Sequence, residues 1–226
     1  NIPFANYYGT EFSFFDHAKR FCNGMTVLRE HFRCMPEIIE FCNKHFYAPD
    51  GKGLYPLKQY SENRIEPLKT EYCQSGFVDG TYQNITNKVE AEGIANKIAE
   101  LVNDVNYKGK SFGVIALQGN KQATIIDNLI LKKIGEVEYK NRNIVCGNSA
   151  SFQGDERDIM FLSLITAHNH NRSALTKPED ERRFNVAVSR AKEQIWLYHS
   201  VQLDDMSNQN DLRYKLLDHF LNHKQQ

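Results

Sequence analysis

Two arginines lie seven residues apart in a segment that the sequence predicts to be helical, and their spacing suits the binding of an anion. Arg183 and Arg190 belong to the segment RRFNVAVSRAK, whose apolar residues recur at i, i+3, i+4 and i+7 and mark a buried helix face. Both arginines lie on one flank of that face, and the small side chain of Ser189 leaves room there. A guanidinium presents a rigid fork of donors to phosphate. The alternative is an ordinary salt bridge, for instance from Arg190 to Asp158 or Glu193.

A polar loop with the sequence SFQGDERD precedes a strand predicted at 158–165, and this loop could contact a nucleotide. Gly154 allows the backbone to come close to a ligand. A carboxylate beside it, such as that of Glu156, can accept hydrogen bonds from the two hydroxyls of a ribose. The alternative is a solvated, charged turn.

A third candidate, Arg33, stands just before a helix predicted at 35–47. The N-terminus of a helix favours an anion because it combines free N–H groups with the positive end of the helix dipole. Arg33 could share such an anion. The alternative is an arginine at the rim that covers the loop.

The same region carries four side chains of the types that bind zinc, in the pattern H-x2-C-x7-C-x2-H: His31, Cys34, Cys42 and His45. The loop between the two cysteines is short for a zinc site, and Cys42 lies in an apolar helical run that is typical of a core. We therefore predict no metal ligands in this chain.

The elements that must position these residues alternate between apolar strands and amphipathic helices. Strands are predicted at 26–30, 111–117, 142–147, 158–165 and 194–200. Helices are predicted at 11–21, 35–47, 87–105 and 121–131, from the N-cap Thr176 through RRFNVAVSRAK, and over LRYKLLDHFLNH. Asn87 and Glu90 are predicted to form a capping box at the start of the helix 87–105. The pattern indicates an α/β fold with a mostly parallel sheet and helices on both faces. Functional groups are then expected at the carboxyl ends of the strands. Residues 48–85 are predicted to be a long irregular connection with one or two strands, near PLKTEY and GFVDGTY.

Composition limits the class of protein. The chain has 226 residues, of which 41% are hydrophobic, and its formal net charge is zero. These values fit a globular domain without a general basic field, so that any nucleic-acid site must be local. No apolar stretch approaches the roughly 18 to 20 residues that span a bilayer. Five scattered cysteines favour reduced thiols and a cytoplasmic location. The first residue is Asn1 rather than Met, which we interpret as a fragment of a larger protein.

Four segments, taken in order, resemble the later motifs of superfamily 1 helicases, in the branch related to the nonsense-mediated-decay helicase and its large bacterial relatives. They are LREHFRCMPEIIEFCNKHFY, FGVIALQGNKQ, SFQGDERD and RRFNVAVSRAK, and the resemblance covers about residues 26–200. It implies a RecA-like fold, similar to P-loop NTPases but without the P-loop half. Residues 1–226 would be the second, C-terminal motor domain of a nucleic-acid helicase or translocase. ATP would bind between this domain and an N-terminal P-loop domain of the same polypeptide.

The resemblance also implies roles for single residues at the nucleotide. Arg33 matches the arginine of the Q/H-Y/F-R motif, which reaches the γ-phosphate. Arg190 matches the arginine of the last motif, which is the other finger on that phosphate. Glu156 matches the glutamate of Q-G-x-E, which contacts the ribose, while Gln153 and Gly154 would shape the loop near the nucleotide.

A single strand of DNA or RNA is the second partner that the resemblance implies. Ser149, Ser151 and Ser189 match positions that touch the nucleic-acid backbone or relay its presence to the nucleotide. One segment departs from the family, because VIALQGNKQ lacks the threonine that meets the strand in many relatives. Lys121 or Gln122 could make that contact instead.

The motif G-x4-G-K-[ST] does not occur in the 226 residues, and no strand ends in a convincing acidic pair. The family carries both in its first motor domain, so ATP and Mg²⁺ are expected to be held mainly there. The chain alone is expected to bind ATP weakly and not to hydrolyse it. Two alternatives remain open: a RecA-like module that senses nucleotides or binds proteins without motor activity, and an unrelated α/β enzyme that acts on a phosphate-bearing substrate.

Overall fold

The computed structural model describes residues 13–22, 24–61, 64–81, 84–170 and 173–223. Its helices are α1 Phe14–Phe21, α2 Pro36–Cys42, α3 Lys88–Leu101, α4 Asn120–Asn141, α5 Pro178–Val188 and α6 Leu212–Asn222. Its strands are β1 Glu30–His31, β2 Tyr55–Pro56, β3 Leu68–Tyr72, β4 Val78–Asp79, β5 Thr86–Asn87, β6 Phe112–Ala116, β7 Val145–Gly147, β8 Arg157–Ala167 and β9 Ala191–Ser200.

The centre of the molecule is a five-stranded sheet in the order β3-β9-β8-β6-β7. Every neighbouring pair in this sheet is parallel. The connections from β6 to β7 and from β8 to β9 run through α4 and α5. The predicted α/β RecA-like fold, with a mostly parallel sheet, is confirmed.

Most apolar side chains of β6, β8 and β9 alternate between two large cores, one on each face of the sheet, and Ala116, Ile165 and Ala167 belong to a third, smaller cluster. One core lies under α2, α5 and α6 and includes Leu162, Phe184 and Leu217. The other lies under α3 and α4 and includes Ile98 and Phe161. Strands that are apolar throughout are needed here because both faces of a parallel sheet are covered.

Residues 48–85 contain more regular structure than a loop. The strands expected near PLKTEY and GFVDGTY are present as β3 and β4, and β3 is an edge strand of the main sheet. The helix predicted at 35–47 is α2 followed by a turn of π-helix, Asn43–Tyr47. The strand predicted at 26–30 is two residues long and begins at Glu30.

The starts of two helices differ in detail from their predicted caps. Helix α5 has Lys177 as its N-cap rather than Thr176, and the Lys177 N–H donates to the Asp180 carboxylate at 3.2 Å. At α3, the Asn87 side chain accepts from the Glu90 N–H as predicted, but the Asn87 N–H donates to Gln122 rather than to Glu90. Only half of the predicted capping box is therefore formed.

Glu90 is instead the centre of a buried polar cluster that joins α3 to β8 and β9. Its carboxylate accepts hydrogen bonds from the hydroxyls of Ser163 at 2.7 Å and Ser200 at 2.9 Å, and from the Asn87 amide at 3.1 Å. It also accepts from the N–H of Ile165 at 3.0 Å. Ile165 has a φ of 58°, which is rare for a β-branched residue, and it lies where the register of β8 and β9 shifts. The carboxylate thus stabilises a strained bend near the end of β8.

All five cysteines lie within the described residues, and each of them is a free thiol. None of the helices in the described ranges is both long enough and apolar enough to cross a membrane.

Candidate functional site

The register of β8 and β9 brings Glu156 and Arg190 together. Arg157 and Ala191, the first residues of the two strands, are register partners, and the Arg157 N–H donates to the Arg190 carbonyl at 3.0 Å. Glu156 and Arg190 immediately precede these partners, so they are neighbours at the amino ends of the strands. Both residues precede their strands, so this pair lies at the opposite edge of the sheet from the carboxyl ends where functional groups were expected.

The sequence pattern predicted that Arg190 lies on the flank of a helix, and this prediction is wrong. Helix α5 ends at Val188 and is capped by Ser189, so Arg190 lies in the turn before β9. Its Nη1 donates to the Asp155 carbonyl at 3.3 Å, whereas its buried Nε has no hydrogen-bond partner. Burial and the nearby charge of Arg33 lower the pKa of the Arg190 guanidinium. This side chain therefore retains a buried donor that an anionic ligand could use.

The alternative of a salt bridge from Arg190 to Asp158 or Glu193 is wrong. Asp158 accepts from the N–H and the hydroxyl of Ser111, at 2.8 and 2.7 Å. Glu193 pairs with Lys110 at 2.6 Å. Within the described part of the chain, no carboxylate forms an ion pair with Arg190.

Arg33 reaches the same place from a distant part of the sequence. Its Nε donates to Glu156 Oε2 at 2.5 Å, and its Nη1 donates to the Ser189 carbonyl at 3.3 Å. That carbonyl belongs to the C-terminal cap of α5, where the helix dipole attracts a cation. The thiol of Cys34 donates to the same carbonyl at 3.4 Å. Arg33, Glu156 and Arg190 are thus brought together.

Backbone contacts hold the turn that carries Arg33 against the beginning of β9. The Met35 N–H donates to the Lys192 carbonyl at 3.1 Å. The ammonium group of Lys58 donates to the carbonyls of Arg33 at 3.0 Å and Lys192 at 2.7 Å. Partial burial lowers the pKa of Lys58. These contacts give Arg33 a defined position beside Glu156.

The Glu156 carboxylate has two cationic neighbours. Oε2 contacts Arg33, and Oε1 lies 3.3 Å from the Lys192 ammonium nitrogen. Partial burial raises the pKa of Glu156, but the hydrogen bonds from Arg33 and Lys192 outweigh it and keep the pKa below its ordinary value. The group is therefore an ionised acceptor near neutral pH.

A groove of about 570 Å³ runs between α5 and the short 3₁₀ helix Ser149–Phe152. Arg190 lies along this groove, whereas Arg33 and Glu156 do not. Other side chains of this groove are those of Asn120, Asn148, Gln153, Arg182, Arg183 and Asn185. Arg183 Nε and Asn185 Oδ1 are buried without a hydrogen-bond partner, as is Arg190 Nε. The groove therefore places three arginines and several amide side chains beside an apolar lining that includes Leu117 and Val186.

The residues predicted to shape the loop or to touch nucleic acid occupy different environments. Gln153 and Gly154 are exposed, and Gly154 has a φ of 84°, which favours glycine. The hydroxyl of the buried Ser149 donates to the Arg183 carbonyl at 2.9 Å. Ser151 is exposed, and its hydroxyl donates to Asn148 at 3.3 Å.

The other three residues predicted to touch nucleic acid also differ in how far they are exposed. They are Ser189, Lys121 and Gln122. Ser189 is half-buried, and its hydroxyl donates to the Val186 carbonyl at 3.3 Å. Lys121 is exposed in the first turn of α4. Gln122 is fully buried, and its amide group is bonded to the backbone of Asn87 and to Ser163. A nucleic-acid contact from Gln122 is therefore not supported, because the side chain is part of the core.

His31, Cys34, Cys42 and His45 do not converge on a common point. The His31 ring accepts a hydrogen bond from the Cys34 N–H at 3.1 Å. Burial raises the pKa of the Cys34 thiol to about 12. Across the described ranges, no group of three His, Cys, Asp or Glu side chains could hold a metal ion.

Lys58 and Lys192 were not identified from the sequence. Lys192 follows Arg190 by two residues at the start of a strand, where alternate side chains share a face, and this spacing could have indicated it. Lys58 lies in an irregular part of 48–85, where no periodicity could have indicated its position.

Comparison with known proteins adds a family and several relatives. The family model described as "AAA domain" matches residues 10–201. An uncharacterized ATP-dependent helicase of Mycoplasma genitalium is 30% identical over 211 residues, which cover 87% of this chain and 18% of the relative. The helicase sen1 of Schizosaccharomyces pombe is 26% identical over 197 residues, or 81% of this chain and 11% of the relative.

A viral protein is also similar. The replicase polyprotein 1ab of Alphamesonivirus 1 is 29% identical over 177 residues, which cover 76% of this chain and 3% of the polyprotein. The chain thus spans less than a fifth of the length of each of these three relatives.

Proposed function

Because this chain belongs to the AAA domain family and is a relative of the superfamily 1 helicases, we propose that it is the second motor domain of an ATP-dependent nucleic-acid helicase or translocase. One observation carries this proposal: Arg33, Glu156 and Arg190, far apart in the chain, lie together, and Arg190 retains a buried donor without a partner.

The two arginines would act on the terminal phosphate of ATP that a P-loop domain presents. Negative charge on the transferred phosphoryl oxygens is stabilised by fixed cations, and an arginine finger accelerates related reactions by about 10³ to 10⁵. The short turns that carry Arg33 and Arg190 are anchored to β9 and to α5, so the backbone at both residues should move little when the cleft closes. Glu156, as an ionised acceptor, is suited to the ribose hydroxyls.

The proposal includes a P-loop domain elsewhere in the same polypeptide, which would bind ATP and Mg²⁺. A Mg²⁺ ion held mainly by that domain would neutralise negative charge on the phosphates. The role of the present chain is to bind the ribose and to direct two guanidinium groups at the terminal phosphate.

The groove between α5 and Ser149–Phe152 is the proposed path of the nucleic acid. Ser149 lies along it, and the exposed Ser151 and Lys121 follow the groove residues Ala150 and Asn120 in the chain. Ser189, which contacts both α5 and Arg33, is suited to relaying occupation of the groove to the nucleotide. Since the chain has no net charge, affinity should be shared with other parts of the polypeptide.

The isolated chain should bind ATP weakly and should not hydrolyse it, because it has no P-loop to hold the phosphates. A polypeptide that joins it to its P-loop domain should hydrolyse ATP, and single-stranded nucleic acid should stimulate that activity. Release of phosphate from both proteins, with and without a single-stranded oligonucleotide, checks both statements.

The control is a joined polypeptide whose P-loop lysine is replaced, which should be as inactive as the isolated chain. Turnover by the isolated chain that depends on Arg190, or a joined polypeptide without any ATPase activity, would contradict the proposal.

A further inference from the structure

We propose that Lys192 is a positioning residue of the nucleotide site, which holds the Glu156 carboxylate in place when Arg33 leaves that carboxylate for the terminal phosphate. This inference rests on the proposed function and adds a residue to it. In this view the ion pair between Arg33 and Glu156 is a latch that opens when nucleotide binds.

The geometry makes Glu156 the shared partner of two cations. Arg33 Nε lies 2.5 Å from Oε2, and Lys192 Nζ lies 3.3 Å from Oε1. Each oxygen therefore has its own cation, and the loss of one contact leaves the other intact. A two-pronged contact from Arg33 to a phosphate through Nε and Nη2 needs the Nε–H that Glu156 now accepts, so this contact requires the exchange.

The exchange requires little free energy because the latch is partly exposed. The side chains of Arg33 and Glu156 are 36% and 39% exposed. Ion pairs in contact with solvent are weak, and a phosphate with several negative charges competes well for an arginine. Without a second cation, however, the released carboxylate would face the negative charge of the nucleotide. Lys192 supplies that cation.

Lys192 is itself positioned by contacts with Asp158 and with the backbone of Met35. Its ammonium nitrogen lies 3.7 Å from Asp158 Oδ1, and the other oxygen of Asp158 accepts two hydrogen bonds from Ser111. Its backbone carbonyl accepts from the Met35 N–H. Ser111 thus contacts Asp158, which contacts Lys192, which contacts Glu156. This series of contacts connects the sheet to the carboxylate that is proposed to bind the ribose.

A comparison of ATP with 2′,3′-dideoxy-ATP tests this role in the joined polypeptide. A merely structural lysine would alter the use of both nucleotides alike, whereas a lysine that positions the ribose-binding carboxylate would affect ATP alone. We expect Lys192→Met to raise the KM for ATP about 5- to 10-fold, to leave the KM for the dideoxy nucleotide unchanged and to have little effect on kcat. Lys192→Arg should restore most of the preference for ATP.

Lys110→Met is the matched control, because it breaks a neighbouring ion pair with Glu193 that does not contact Glu156. This variant should leave both KM values as they are. If Lys192→Met raises both KM values equally, or changes neither, the inference is wrong. That result leaves the proposed function intact as long as the wild type hydrolyses ATP. A wild-type protein that does not hydrolyse ATP would instead refute the proposed function.

Discussion

Replacement of Arg190 by alanine in the joined polypeptide should lower kcat for ATP hydrolysis by about a thousandfold, with little change in affinity for nucleic acid. The guanidinium lies in a turn between a capped helix and a strand, and its buried Nε has no protein partner. Its loss should therefore remove stabilisation of the transition state and leave the fold intact. Arg190 also lies along the groove, but Arg182 and Arg183 remain there, so affinity for nucleic acid should change little. Arg33→Ala should behave similarly, since Arg33 contacts the same two segments.

Steady-state ATPase rates and binding of a fluorescent single-stranded oligonucleotide, measured on the same preparations, separate the two effects. Arg64→Ala is a suitable control because Arg64 pairs with Glu37 outside the site. Kinetics of Arg190→Ala that match those of the wild type would show that this arginine is not a finger. A module that only senses nucleotides or binds proteins would give that result.

Replacement of Glu90 by glutamine should change how stability depends on pH. Burial raises the pKa of Glu90 to about 7, although hydrogen bonds from Ser163, Ile165 and Ser200 oppose that shift. An acid with a higher pKa in the folded chain binds more protons when folded, so the free energy of unfolding falls as the pH rises from about 4.5 to about 7. The full effect of this carboxyl is on the order of 3 kcal/mol.

Urea unfolding at a series of pH values measures this effect as the difference between the wild type and Glu90→Gln. The wild type should lose stability relative to the variant as the pH rises from 5 to about 7.5. Glu92→Gln, at an exposed position on the same helix, should show no such trend. A difference that stays constant with pH would mean that Glu90 is ionised throughout and that its hydrogen bonds fully offset burial.

Much of the fold could be predicted because its elements have strong periodic signals. The apolar strands β6 and β8 and the starts of α3 and α5 were predicted close to their observed positions, but both helices end four residues before their predicted ends. The proximity of Glu156 to Arg190 was not predicted, because the sequence placed Arg190 in a helix and began the next strand at 194. In the structure β9 begins at Ala191, directly after Arg190 and beside Arg157.

Other parts of the site depend on tertiary contacts that no local pattern records. Gln122 follows an exposed lysine at the start of a helix, yet it is buried because the backbone of Asn87 and Ser163 form its partners. Lys58 approaches Arg33 from an irregular segment, through two backbone carbonyls. Such contacts are set by the packing of distant segments and not by spacing along the chain.

The most direct test of the central claim is a structure of the joined polypeptide with ADP and aluminium fluoride, which mimics the transferred phosphoryl group. The account predicts that the guanidinium groups of Arg33 and Arg190 both lie about 3 Å from the fluoride ligands, with Glu156 at the ribose. Guanidinium groups that remain bonded only to Glu156 and the Asp155 carbonyl, away from the bound nucleotide, would contradict it.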